Sequence, residues 1–304
     1  MTLFRGLSAF PITPADAAGR VDTDALCRLL DPLAVAGIDS VGLLGSTGTY
    51  AYLNRSERRR AVEAAAARLA GRVPLIVGAG ALRTDAAEAL ARDARAAGAD
   101  GLLLAPVSYT PLTDDEVFAH VRAVAEAGRL PLCLYNNPST TGFTFSPDLI
   151  GRLSRLDPVV AVKMPLPHGP AIAAELADLR ARVPAHFAIG YSQDWGCTEA
   201  MLAGADAWFS VLAGILPDAA RAIDAAVRRG DAATARALDA SLGPLWDLFR
   251  AFGSVRVVYA MARELDLTGA APPRPILPLP PDQLPSLRAA LGHIAHAGGA
   301  AVRA

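Results

Sequence analysis

Over its first two-thirds the chain alternates short apolar runs with longer segments of helical period. The strand-like runs cover residues 6–13, 40–45, 74–80, 101–106, 131–136, 159–164, 186–191 and 207–212. They are continuously apolar rather than strictly alternating, which suits strands covered on both faces in a parallel sheet. Between them, Ala-, Leu- and Arg-rich segments such as 54–69, 84–97 and 113–127 read as helices. Asn54, Thr84 and Thr113 are placed to cap those helices, and Glu57 and Glu116 stand where a capping box needs a carboxylate. Gly37, Gly71, Gly98, Gly128 and Gly204 lie where helices should end.

Eight strand–helix units within about 220 residues fit a (β/α)8 TIM barrel. An open doubly wound sheet is the alternative, because strand number alone does not prove closure. Beyond residue 217 the strand pattern stops, and residues 217–229, 232–267 and 282–297 read as helical. The expected organisation is a catalytic barrel over residues 1–217 and a C-terminal helical extension over 218–304.

Composition narrows the function classes. A net charge of -1 over 304 residues offers no electrostatic footprint for nucleic acid or an anionic membrane. No apolar stretch approaches the ~18 residues of a spanning helix. The first residues lack the charged-then-apolar layout of a secretory signal. Three widely spaced cysteines, Cys27, Cys133 and Cys197, read as reduced thiols, so a cytoplasmic protein is expected. The five histidines form no cluster with carboxylates at metal-ligand spacing, and no Gly-x-Ser-x-Gly elbow or dinucleotide fingerprint is present.

One compositional fact points to chemistry. Of the 29 Lys+Arg residues only Lys163 is a lysine. It follows Val159-Val160-Ala161-Val162, at the predicted C-terminal end of the sixth strand, where barrel active sites assemble. Burial there favours the neutral amine, the nucleophile that condenses with a ketone to form an imine. The competing reading is a lysine that snorkels to solvent from a strand end. Tyr135 ends the fifth strand in the equivalent place and is positioned to relay protons, unless it is an ordinary core aromatic. The second strand runs into Gly45-Ser46-Thr47-Gly48-Thr49, whose hydroxyls and N–H groups suit a carboxylate. As a turn such a sequence is also common. His168 follows the lysine on an expected surface loop.

Taken in order, these segments resemble the dihydrodipicolinate synthase / N-acetylneuraminate lyase family of class I aldolases. The resemblance runs from Phe10-Pro11-Ile12-Thr13-Pro14 through Gly45-Ser46-Thr47-Gly48, Tyr135-Asn136-Asn137-Pro138 and Val162-Lys163, then Gly190 and Arg274-Pro275-Ile276-Leu277-Pro278. It implies that Lys163 forms an imine with a 2-oxo acid such as pyruvate and that Tyr135 shuttles protons. Ser46 and Thr47 would bind the carboxylate, with Gly190 and Phe209 lining the pocket. No metal and no organic cofactor is implied. The family commonly forms homotetramers in which a neighbouring subunit's tyrosine completes a proton relay, and Tyr109 is the nearest candidate here, although Val107 and Ser108 break the paired aromatic pattern.

Three departures bear on the substrate. Where dihydrodipicolinate synthases usually carry an arginine for the second substrate's carboxylate, this chain has Thr140. A hydroxyl cannot replace a bidentate guanidinium. Thr49 and Met164 stand where acidic residues are common, so the second-substrate side is expected to be less charged. The implied activity is carbon–carbon cleavage of a 2-oxo acid with a neutral distal part. The alternatives are 4-hydroxy-tetrahydrodipicolinate synthase itself, a sugar-acid dehydratase using the same imine, and a barrel that binds a 2-oxo acid without turnover.

Overall fold

The computed structural model describes residues 3–167 and 172–301, the final helix by its backbone alone beyond Ile294. Among the described residues, eight parallel strands close into a barrel. They are β1 (Gly6–Ala9), β2 (Ser40–Leu43), β3 (Leu75–Gly78), β4 (Gly101–Leu104), β5 (Leu132–Tyr135), β6 (Val159–Met164), β7 (Ala188–Tyr191) and β8 (Ala207–Ser210). Each strand pairs with the next, and β8 returns to β1 with Ser8 opposite Phe209. Closure removes the open-sheet alternative. The strands coincide with the eight apolar runs of the sequence, trimmed at the ends where the chain turns into loops.

The side-chain period of two sorts each strand into two apolar clusters. Leu7, Val41, Leu75, Leu102, Leu134, Val162 and Ile189 join the larger cluster under the helices. Phe10, Ile76, Leu103, Cys133, Tyr135, Ala161, Ala188, Ala207 and Phe209 form the second, inside the barrel. Ala161, Ala188 and Ala207 fill little of it, and at its C-terminal end Phe10, Tyr135 and Phe209 come together.

The helix ends show which sequence signals carried local information. Thr113 and Glu116 close a complete capping box. Asn54 caps its helix by accepting from the Glu57 N–H at 2.9 Å, but the Glu57 carboxylate turns to the Val21 N–H and Arg60 instead. Thr84 is the first residue of its helix rather than the cap, its hydroxyl being bonded to His120 Nδ1 at 3.0 Å. Gly128 is likewise helical, and Arg129 takes the left-handed position that follows it. A Cβ at Gly128 would lie 2.5 Å from Leu102 Cδ1, so packing rather than chain reversal demands glycine there.

After β8 the helix Pro217–Arg228 reaches back to the N-terminal face, where Arg228 pairs with Asp224 and Asp39. The stretch 232–267 divides into three helices, Ala232–Ser241, Gly243–Phe252 and Ser254–Glu264, broken at Leu242 and at Gly253 with φ +77°. The last of these ties back to the barrel mouth, because Tyr259 donates its hydroxyl to the Thr13 carbonyl at 3.3 Å.

One buried carboxylate locks the end of β8. Asp194, 1% exposed, accepts from Ser210 Oγ at 2.5 Å, Val211 N at 3.1 Å, and Trp208 Nε1 and Leu212 N at 3.2 Å. Burial raises its pKa, opposed by those hydrogen bonds. Removing the carboxylate strands all four donors at once. Asp194→Ala should therefore lose about 3 kcal/mol or more of stability, read as a lower urea midpoint, and Asp194→Asn a smaller part of it. An unchanged midpoint for both variants would contradict the assignment.

Candidate active site

The register of the barrel places the candidate residues in one row. Tyr135 on β5 lies opposite Lys163 on β6, and Lys163 opposite Gly190 on β7. Lys163 is 3% exposed, so it does not snorkel to solvent. Its Nζ lies 3.9 Å from the ring centroid of Phe10, 4.3 Å from that of Tyr135 and 5.6 Å from that of Phe209. Among the described residues it has no carboxylate partner and no hydrogen bond. The nitrogen is thus walled by ring faces and left free for an incoming electrophile.

The aromatic wall requires space, and glycines supply it. A Cβ at Gly42 would sit 2.2 Å from Phe10 Cζ, and one at Gly45 2.8 Å from Phe10 Cδ1. On the other side a Cβ at Gly190 would meet Phe209 Cε2 at 2.6 Å. Phe10 and Phe209 pack edge to face, with centroids 5.9 Å apart and planes at 83°. The glycine at 190 therefore makes room for the Phe209 ring beside Lys163.

Tyr135 is 7% exposed, and its hydroxyl lies 3.5 Å from Ser46 Oγ. Asn137 braces the pair, with Nδ2 3.1 Å from Tyr135 Oη and 3.3 Å from Ser46 Oγ. Because the amide donates to the phenol oxygen, Tyr135 keeps its own proton available for transfer. The loop that brings in Ser46 and the buried Thr47 is bounded by two non-glycine residues with positive φ, Leu44 at 57° and Thr49 at 51°. Such conformations cost about 1–3 kcal/mol each and mark a loop whose shape is held by its surroundings.

The remaining candidates are spread around the mouth. Thr140 is exposed in the short helix Pro138–Thr141, its hydroxyl bonded back to the Asn137 carbonyl at 3.3 Å. Tyr109 is 96% exposed, so within one chain it does not join the Lys163–Tyr135 cluster. Thr49 is buried, whereas Met164 packs in the outer cluster and receives Asn136 Nδ2 on its sulfur at 3.6 Å. Met164 faces away from Lys163 on β6, so its lack of charge does not describe the pocket. His168 lies outside the described residues.

Sequence reasoning passed over two members of the cluster. Phe10 stood only within a Pro-rich motif, and its ring reaches Lys163 because closure brings the end of β1 to within three strands of β6 around one interior. Asn137 was read as part of a turn. Its position two residues after Tyr135, on the same side of an extended chain, was the available signal.

This geometry agrees with three comparisons. The model of the dihydrodipicolinate synthetase family matches residues 3–294. A 4-hydroxy-tetrahydrodipicolinate synthase of Pseudomonas savastanoi pv. phaseolicola is 35% identical over 234 residues, covering 77% of this chain and 79% of its own. One from Salinibacter ruber is 36% identical over 243 residues, covering 80% and 79%. The crystal structure of a dihydrodipicolinate synthase from Agrobacterium tumefaciens str. C58 superimposes with a TM-score of 0.94 at 58% identity, covering 96% of this chain and 98% of that one. Together with the closed barrel, these matches make the chain a member of the dihydrodipicolinate synthetase family, lyases of the class I pyruvate-dependent aldolase type that work through a lysine Schiff base.

Proposed function

We propose that Lys163 is the Schiff-base lysine and that the protein cleaves or forms a carbon–carbon bond next to a pyruvate unit. The observation that carries this reading is the Lys163 amine, enclosed by three rings and set beside the Tyr135–Ser46–Asn137 cluster. The amine attacks C2 of the 2-oxo acid, and the carbinolamine loses water to give a protonated imine. That cation accepts the electron pair of the breaking C3–C4 bond, leaving an enamine and releasing an aldehyde. Protonation at C3 and hydrolysis return pyruvate and free Lys163. The imine is itself the electron sink, so the chemistry calls for no metal and no organic cofactor. Tyr135 delivers the proton that leaves with the carbinolamine hydroxyl and accepts the one lost from the C4 hydroxyl. Ser46 and Thr47 hold the carboxylate, while Gly190 and Phe209 form the wall behind C3. The same imine serves dehydration of a sugar acid.

Thr140 limits the second substrate. A lone hydroxyl bonded to its own turn supports an aldehyde with a neutral distal part. The names of the curated relatives favour the second reading, condensation with aspartate semialdehyde. A sensor that binds a 2-oxo acid without turnover would keep the amine and discard the hydroxyl relay, against which Tyr135, Ser46 and Asn137 stand together.

Assembly belongs to the same proposal. Tyr52, Leu82 and Tyr109 are 44%, 65% and 96% exposed on the loops that follow β2, β3 and β4. Large exposed apolar groups on three successive loops at the same end of the barrel support an interface with a second copy. The homotetramer and the cytoplasmic setting, the latter supported by free cysteines and by the lack of any described helix long and apolar enough to cross a membrane, complete the reading.

Borohydride reduction in the presence of pyruvate should add one reduced pyruvate to the intact protein, mapped to the peptide containing Lys163. No adduct on the wild type, or an undiminished one on Lys163→Ala, would sink the imine assignment. Tyr135→Phe should lower kcat roughly 10²–10⁴-fold while the adduct still forms. In a panel of aldehydes, neutral ones are expected to outperform aspartate semialdehyde, with Thr140→Arg shifting the preference toward it; strong synthase activity of the unaltered protein would reverse the substrate argument. Sedimentation should give a mass above one chain, reduced when Tyr52, Leu82 and Tyr109 are replaced by Ser; a wild-type monomer removes the interface.

A further inference from the structure

Tyr50 is a second buried phenol at the mouth of the barrel. It opens the turn Tyr50–Tyr52 directly after the loop that carries Ser46 and Thr47, and it is 8% exposed. The guanidinium carbon of Arg58 lies 5.2 Å from its ring centroid. Arg58 is itself buried and has no carboxylate partner among the described residues. Its hydrogen bonds go to the carbonyls of Gly78 at 2.7 Å and Gly80 at 3.1 Å, so the end of β3 fixes the guanidinium under the ring. Loss of hydration at that site lowers the Arg58 pKa to about 10, which still leaves it charged at neutral pH.

The hydroxyl end of Tyr50 is located by Gly80. A Cβ at that glycine would lie 3.3 Å from Tyr50 Oη and 3.0 Å from the carbonyl oxygen of Ala105. The hydroxyl therefore stands beside the ends of β3 and β4, on the same rim as Tyr135 at the end of β5. Among the described residues it makes no hydrogen bond. Burial, and then negative charge on Tyr135, push its pKa up to about 12, with Arg58 opposing. Ala105, beside that hydroxyl, packs in the same interior cluster as Tyr135, and a neutral phenol there can both donate and accept a proton. Tyr109, by contrast, makes no contact with the cluster in its own chain.

We propose that Tyr50 is a positioning residue that completes a proton relay within one subunit, linking Tyr135 to the water outside the barrel mouth. The proposal rests on Tyr135 acting as the shuttle beside Lys163. When Tyr135 gives its proton to the departing carbinolamine hydroxyl, Tyr50 replaces it by way of intervening water and takes a proton from solvent. In the reverse direction a proton arriving on Tyr135 leaves by the same route. No net charge remains on either phenol after the cycle.

The relay is testable with pyruvate alone, because imine–enamine interconversion exchanges the pyruvate methyl protons with solvent. Deuterium uptake by that methyl group in D2O is followed by proton NMR with the full chain, alongside borohydride trapping and thermal melts. Tyr50→Phe, which keeps the ring over Arg58, should slow exchange roughly tenfold or more. The trapped fraction and the melting temperature should stay at wild-type values, which a merely structural role would not allow. Tyr50→His, which restores a proton-carrying ring, should exchange faster than Tyr50→Phe. Equal rates for those two variants, or wild-type exchange in Tyr50→Phe, overturn the relay. So does loss of exchange in Tyr109→Phe with Tyr50→Phe unaffected, because the proton path then crosses subunits. A wild-type protein that traps no pyruvate instead removes the Lys163 chemistry, and this relay with it.

Discussion

Return of β8 to β1 is the constraint on which the site depends. A parallel sheet left open would carry two unpaired edges and would keep β1 far from β6. Closed, it forces every second side chain of eight strands into one narrow interior. Ala161, Ala188 and Ala207 take up little of that interior, which leaves room for Phe10, Tyr135 and Phe209 to converge at one end. Lys163 enters this aromatic layer because it follows Ala161 by two residues on the same face of β6. Its burial, its ring contacts and its freedom from carboxylates all follow from closure.

The supports around the row answer to the same constraint. Gly42, Gly45 and Gly190 are needed because the rings of Phe10 and Phe209 occupy the volume their side chains would take. Asp194 holds the end of β8 by four hydrogen bonds, and so fixes the strand from which Phe209 projects. Tyr259, from the C-terminal helices, fastens the loop after β1 through the Thr13 carbonyl. The helical extension thus acts on the site from behind, by holding the loop that follows Phe10.

On the proposed reading, chemistry and specificity separate along the barrel axis. The amine, the phenol and the hydroxyl loop lie in the enclosed layer, where position is set by strands. Thr140 sits above them in an exposed turn, where a side chain can change without disturbing the core. A fold arranged this way can keep one imine-forming layer and alter the second substrate at the rim.

Local order was determined along the chain itself. Eight apolar runs, the Thr113 capping box, the isolated Lys163 at a strand end and its equivalence with Tyr135 are all properties of short segments, and the structure retains them. What required the tertiary structure was everything carried between segments distant in sequence. Thr84 turned from cap to partner of His120, Gly128 from terminator to packing site, and Met164 away from the pocket to the outer cluster. Phe10 and Lys163 are 153 positions apart, and only closure brings ring and amine within 3.9 Å. The physical reason is common to these cases. Hydrogen-bonding and turn preferences act within a few residues and are written locally, whereas packing depends on which strand lies across the barrel.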